Sequence, residues 1–129
     1  MKEATDSRRI LLVDDHADTL MLQAMLLRRN GYEVMTAENA ESALAQAAEN
    51  DVDLVVSDLR LPDRNGVDLM RDLHERHGLH GVALTGAADD AEAAVQAEVG
   101  FVEVLIKPVT PAQVVQVIES ALVSIDDQP

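Results

Sequence analysis

Four short apolar runs in this chain each end in a polar residue for which a buried strand has no structural use. Ile10-Leu11-Leu12-Val13 runs into Asp14-Asp15, and Leu54-Val55-Val56-Ser57 runs into Asp58. Val82-Ala83-Leu84 runs into Thr85, and Val104-Leu105-Ile106 runs into Lys107-Pro108. Continuous apolar runs separated by helical patterns read as strands of a parallel sheet covered on both faces. Ligands of such sheets sit outside the carboxyl ends of the strands, where these side chains converge.

The chain alternates strand and helix five times. Leu20, Ala24 and Leu27 fall at helical spacing before Asn30-Gly31, which supplies a left-handed stop. Residues 33–37 read as a short strand. Asn39 caps a helix expected to bury Leu44, Ala47 and Ala48. Leu61-Pro62-Asp63-Arg64-Asn65-Gly66 is turn chemistry ahead of Leu69, Met70 and Leu73. The fourth helix, about residues 88–99, has little beyond Val95 and Val99 to anchor it and is expected to be the most mobile. Thr110-Pro111-Ala112-Gln113 combines a capping box with proline at the first helical position, before Val114, Val117, Ile118, Ala121 and Leu122. Regular alternation with right-handed crossovers predicts an α/β, doubly wound, flavodoxin-like (βα)5 fold with strand order 2-1-3-4-5. The 129 residues suit one domain, with a core over about 9–123 and frayed ends at 1–7 and 126–129. The methionines Met21, Met25, Met35 and Met70 are expected as core filler.

Charge narrows the partners. Ten Lys and Arg against 24 Asp and Glu give a formal charge of -14, which repels nucleic-acid backbones and anionic lipid surfaces. There is no cysteine and no signal-peptide or membrane-spanning apolar segment, so a cytoplasmic protein that does not insert into membranes is expected. The last cation before Lys107 is Arg76. A lysine that closes a strand far from any other cation has chemistry to serve rather than solubility.

Three carboxylates, one hydroxyl and one ammonium suit a hard divalent cation beside a phosphoryl-sized opening. Mg2+ takes one or two carboxylates and keeps several waters. Asp14 and Asp15 are adjacent and diverge, so one ligates directly and the other holds a metal-bound water; Asp58 supplies the second direct carboxylate. Asp58 is then placed to act as a carboxylate nucleophile toward phosphorus. Lys107 offsets phosphoryl charge and Thr85 donates to a phosphoryl oxygen. Arg60, two residues past Asp58, faces the same opening, where it tunes phosphate lifetime, meets a partner or is simply solvated. His16 is expected to be exposed. His74, His77 and His80 recur every three residues; they read as partners of a helix C-terminus rather than as metal ligands.

In order and spacing, the acidic pair, Asp58, Thr85-Gly86 and Lys107-Pro108 resemble the response-regulator receiver domain of two-component signalling, over about residues 9–123. The loop Asp58-Leu59-Arg60-Leu61-Pro62-Asp63-Arg64-Asn65-Gly66 is similar to that family's loop after the phosphoacceptor. The resemblance implies that Asp14, Asp15, Asp58 and the backbone carbonyl of Arg60 bind Mg2+. It implies that Asp58 accepts phosphate from a histidine kinase or a histidine phosphotransfer protein, that output passes to a downstream protein target, and that the Lys107-Pro108 bond is cis. Such a chain catalyses only its own phosphorylation and dephosphorylation.

The family's usual aromatic three residues before the lysine is here Val104, as in receivers similar to those of hybrid histidine kinases. Phe101 lies three residues earlier, an odd offset expected to point it to the opposite face. A signal leaving Asp58 is therefore expected to travel through Thr85, the 86–88 loop and the fourth helix. A Mg2+-dependent phosphohydrolase with an aspartyl intermediate is the competing enzyme reading, but the acid/base position two residues past the nucleophile holds Arg60. A receiver-like interaction module that is not phosphorylated is the third. A free-standing regulator and the receiver piece of a hybrid kinase both fit, and Met1 and the frayed tail favour a complete small protein or a terminal domain.

Overall fold

The computed structural model describes residues 8–127. Five strands and five helices alternate: β1 Arg9–Val13, α1 Ala17–Arg29, β2 Glu33–Ala37, α2 Ala40–Glu49, β3 Leu54–Asp58, α3 Gly66–His77, β4 Gly81–Thr85, α4 Ala88–Ala97, β5 Phe101–Ile106 and α5 Pro111–Asp126. All neighbouring strands pair in parallel, in the order β2-β1-β3-β4-β5. The expected doubly wound sheet is the sheet observed.

The apolar runs are continuous because both faces of the central strands are covered. Ile10, Leu12, Leu54, Val56, Val82 and Leu84 pack with Leu20, Ala24 and Leu27 of α1 and with Val114, Ile118 and Ala121 of α5. The alternate residues Leu11, Val13 and Val55 pack on the other face with Ala40, Ala43 and Ala47 of α2 and Leu69, Met70 and Leu73 of α3. Each fully buried aliphatic side chain contributes about 1.5–3 kcal/mol, so the sheet is a rigid platform whose ends are well placed.

Local chemistry sets the helix ends. The Asn39 side chain accepts from the amide of Ser42, and Asp63 reaches back from the β3-α3 loop to accept from the amides of Ala40 (2.8 Å) and Glu41 (2.9 Å). Those two backbone bonds hold the Asp63 carboxyl below its ordinary range. Thr110 and Gln113 form the expected capping box, with Pro111 at the helix start. Gly31 takes a left-handed φ of 94° after α1, as the Asn30-Gly31 stop requires.

Several expectations need correction. Met21 and Met25 lie exposed on the outer face of α1, because the buried stripe of that helix is already filled by Leu20, Ala24 and Leu27. Met35 is partly buried and Met70 fully buried. In α2 the buried stripe is Ala40, Ala43 and Ala47, while Ala48 is exposed and Leu44 lies at the margin. In α4 the anchors are Ala91 and Ala94; Val95 points to solvent. Val99 is buried but lies beyond the helix, which stops at Ala97 because Glu98 adopts a left-handed φ of 52°. Asp126 is helical and ion-paired to Arg8 rather than frayed; residues 1–7 and 128–129 fall outside the described residues.

The expectation for Phe101 also fails. The β4-β5 register shifts between Gly81 and Val82, pairing Gly81 with Phe101 but Val82 with Glu103. The extra residue reverses the alternation, so Phe101 and Val104 pack against the same cluster of Leu59, Ala83 and Ala94.

Candidate functional site

Asp14 follows β1, Asp58 and Thr85 close β3 and β4, and Lys107 follows β5 directly. Parallel registry does the gathering. Val13 pairs with Ser57, Asp58 with Leu84 and Thr85 with Ile106, so all these carboxyl ends reach one rim of the sheet.

The side chains meet there. Lys107 Nζ donates to Asp58 Oδ2 at 3.0 Å, and the Lys107-Pro108 bond is cis. Asp58 is 7% exposed and Asp14 3%, while Asp15 is open to solvent. Ligand atoms of Asp14, Asp15, His16 and Asp58 all lie within 4.8 Å of one another, the one such group among the described residues. Thr85 is buried, and its hydroxyl accepts from the Ala87 amide at 3.2 Å. The Arg60 backbone amide lies 3.4 Å from Asp58 Oδ1.

Two contacts were not legible in the sequence. His16 is exposed as expected, but its Nδ1–H also donates to Asp14 Oδ1 (3.1 Å) and lies 3.2 Å from Asp15 Oδ1. The hydrogen bond to Asp14, with the charge of Asp15, raises its pKa above the ordinary histidine value. Arg60 does not lie free: its Nε donates to Asp90 Oδ2 of α4 at 2.8 Å. That hydrogen bond first, and the charge of Asp90 second, raise the Arg60 pKa above its ordinary value.

The donor set fits a divalent cation. Three carboxylates face one ammonium, leaving about two negative charges for a hard metal that prefers oxygen. Far from this rim, His74 Nδ1–H donates to the Leu79 carbonyl at 2.8 Å and its ring meets that of His80 edge-on at 5.0 Å. His77 stands in the last turn of α3, as a helix-end partner should. A cavity of about 440 Å³ lined by Arg9, Asp51 and His77 opens at the opposite ends of the strands, away from the carboxylates.

A family model described as "Response regulator receiver domain" matches residues 10–119. The transcriptional regulatory protein ResD of Bacillus subtilis is 31% identical over 120 residues, which are 93% of this chain and 50% of that protein. The DNA-binding response regulator MtrA of Mycobacterium tuberculosis is 33% identical over 125 residues, 97% of this chain and 55% of that protein. The chain thus spans about half the length of these curated relatives. Among solved structures, a CheY-like receiver domain protein from Methanospirillum hungatei superposes with a TM-score of 0.86 at 28% identity, covering 95% of this chain and 99% of that one. The response regulator TrrA of Thermotoga maritima, solved in complex with Mg2+-BeF, gives 0.77 at 25% identity, with 88% and 97% coverage. Among the described residues no helix is long and apolar enough to cross a membrane.

Proposed function

The chain belongs to the response-regulator receiver domain family of two-component signalling, and from that premise we propose that Asp58 is its phosphoacceptor, that phosphorylation depends on Mg2+, and that the donor is a histidine kinase or a histidine phosphotransfer protein. The observation that carries this reading is the Lys107 to Asp58 bond at 3.0 Å inside a cluster of three carboxylates. A carboxylate buried to 7% exposure with an ammonium on one oxygen keeps its other oxygen for phosphorus.

Asp14, Asp15, Asp58 and the Arg60 carbonyl would hold the cation. Bound there, Mg2+ supplies charge neutralisation for the phosphoryl oxygens. Asp58 attacks the phosphorus of a phosphohistidine whose second ring nitrogen carries a proton; the P–N bond breaks with its electron pair left on the ring, and the products are an aspartyl phosphate and a neutral imidazole. Lys107 moves from one carboxylate oxygen toward a phosphoryl oxygen, so its charge stays paired throughout. Thr85 turns its hydroxyl from the Ala87 amide to the phosphoryl group and carries the 86–88 loop with it. Output then passes to a downstream protein.

Acetyl phosphate with Mg2+ tests the assignment, since it supplies phosphoryl groups without a kinase. One acid-labile phosphate per chain is expected, and Asp58→Asn abolishes it; label that persists in the variant refutes the assignment.

A further inference from the structure

The proposed phosphorylation site touches α4 through one pair of side chains. Arg60 belongs to the loop after Asp58, with its backbone amide 3.4 Å from Asp58 Oδ1, while its side-chain Nε donates to Asp90 in the first turn of α4 at 2.8 Å. Among the described residues this is the sole side-chain hydrogen bond or ion pair between α4 and any other element. Apart from this pair, α4 is held on β4 and β5 by the packing of small side chains. Its buried residues are Ala91 and Ala94, its N-cap Ala87 makes no side-chain cap bond, and its C-cap Glu98 is left-handed. Beneath the pair lies a cavity of about 130 Å³ lined by Leu59, Arg60, Asn65, Val67, Asp90 and Ala93. The helix therefore has room to move and one polar tether that keeps it in place.

We propose that the Arg60–Asp90 pair is a latch that holds α4 at rest and opens when the Arg60 guanidinium transfers from Asp90 to a phosphoryl group on Asp58. The inference rests on Asp58 as the phosphoacceptor. A phosphoryl dianion offers a guanidinium three oxygens and a bidentate geometry, against one oxygen of Asp90 in the resting pair. The pair is also exposed, with 77% of the Arg60 side chain and 35% of the Asp90 side chain open to solvent. Exposed pairs are weak and screened, which is what allows a competing anion to break this one. Linkage makes the effect reciprocal: whatever frees Arg60 from Asp90 must tighten binding of the phosphoryl group, and the phosphoryl group must loosen α4.

Two variants break the same bond with opposite consequences for the site. Asp90→Asn leaves the guanidinium free for the phosphoryl group; Arg60→Gln removes it. Both should speed amide hydrogen exchange in α4 of the unmodified protein, because both open the latch. Their affinities for beryllofluoride with Mg2+, measured by titration, should diverge: roughly threefold tighter for Asp90→Asn and roughly threefold weaker for Arg60→Gln, the scale of an exposed ion pair. The double variant should match Arg60→Gln, since Asp90 acts only through Arg60. Affinities that move in the same direction, or α4 exchange that stays at the wild-type rate in both variants, overturn the latch. Beryllofluoride that fails to bind wild type, or binds Asp58→Asn equally well, overturns the phosphoacceptor reading instead.

Discussion

Replacing Gly66 by alanine sets two physical rules against each other. Gly66 opens α3, and by helix propensity and unfolded-state entropy alone an alanine there would stabilise by about 0.4–1 kcal/mol. A Cβ at this position would stand 2.5 Å from the Asp58 carbonyl oxygen and 2.7 Å from Leu59 Cα. Both are backbone atoms, and the Gly66 amide donates to the Leu59 carbonyl at 2.8 Å, so the approach is part of how α3 seats on β3. Overpacking costs about 1–3 kcal/mol, and contact with backbone that cannot rotate away belongs at the upper end. The net expectation is a loss of about 2 kcal/mol, or a melting point lower by about 8 °C for a chain of this size. Because the atoms displaced carry Asp58, labelling by acetyl phosphate should also slow. Gly86→Ala is the control: it has nothing within 4 Å of its Cβ and no left-handed φ, so it should be neutral or stabilising by up to about 1 kcal/mol. Urea denaturation of both variants decides the matter. A Gly66→Ala midpoint at or above that of wild type would show that the loop opens at no cost, and the steric argument would fall.

Mg2+ at ten times its Kd should add about 1.4 kcal/mol of stability, read as a rise of about 5 °C in thermal melting. At the same concentration Asp15→Asn should give a smaller rise, because one of the three clustered carboxylates is gone; an equal rise would place the ion elsewhere. His80 offers a pH test away from the site. Burial first, and the neighbouring His74 second, lower its pKa, so the unfolded chain takes up its proton before the folded one does. Stability should therefore drop as pH falls through the ordinary histidine value of 6.5, level off below the lowered folded value, and be unaffected by this group at higher pH. His80→Gln should flatten that part of the urea-denaturation profile between pH 7.5 and 5, and an unchanged slope would refute the assignment.

Sequence alone determined the sheet, its strand order and the residues at its rim. Strand ends are periodic features: once Leu54–Ser57 is a buried strand, Asp58 must lie at its carboxyl end, and the same holds for Thr85 and Lys107. The capping box at Thr110 and the Asn39 cap were legible for the same reason, since they act within one turn of the residues that name them. What only the tertiary structure decided involves partners far apart in the chain or an irregularity in register. Asp63 caps a helix 22 residues earlier and Arg60 reaches 30 residues forward to Asp90, pairings that no local spacing encodes. The irregular pairing of Phe101 breaks the alternation on which its expected orientation depended. Met21 and Met25 are apolar by composition, yet the stripe of α1 that faces the sheet had room only for Leu20, Ala24 and Leu27. Periodicity fixes where a side chain starts, whereas the packing of separate elements fixes what it touches.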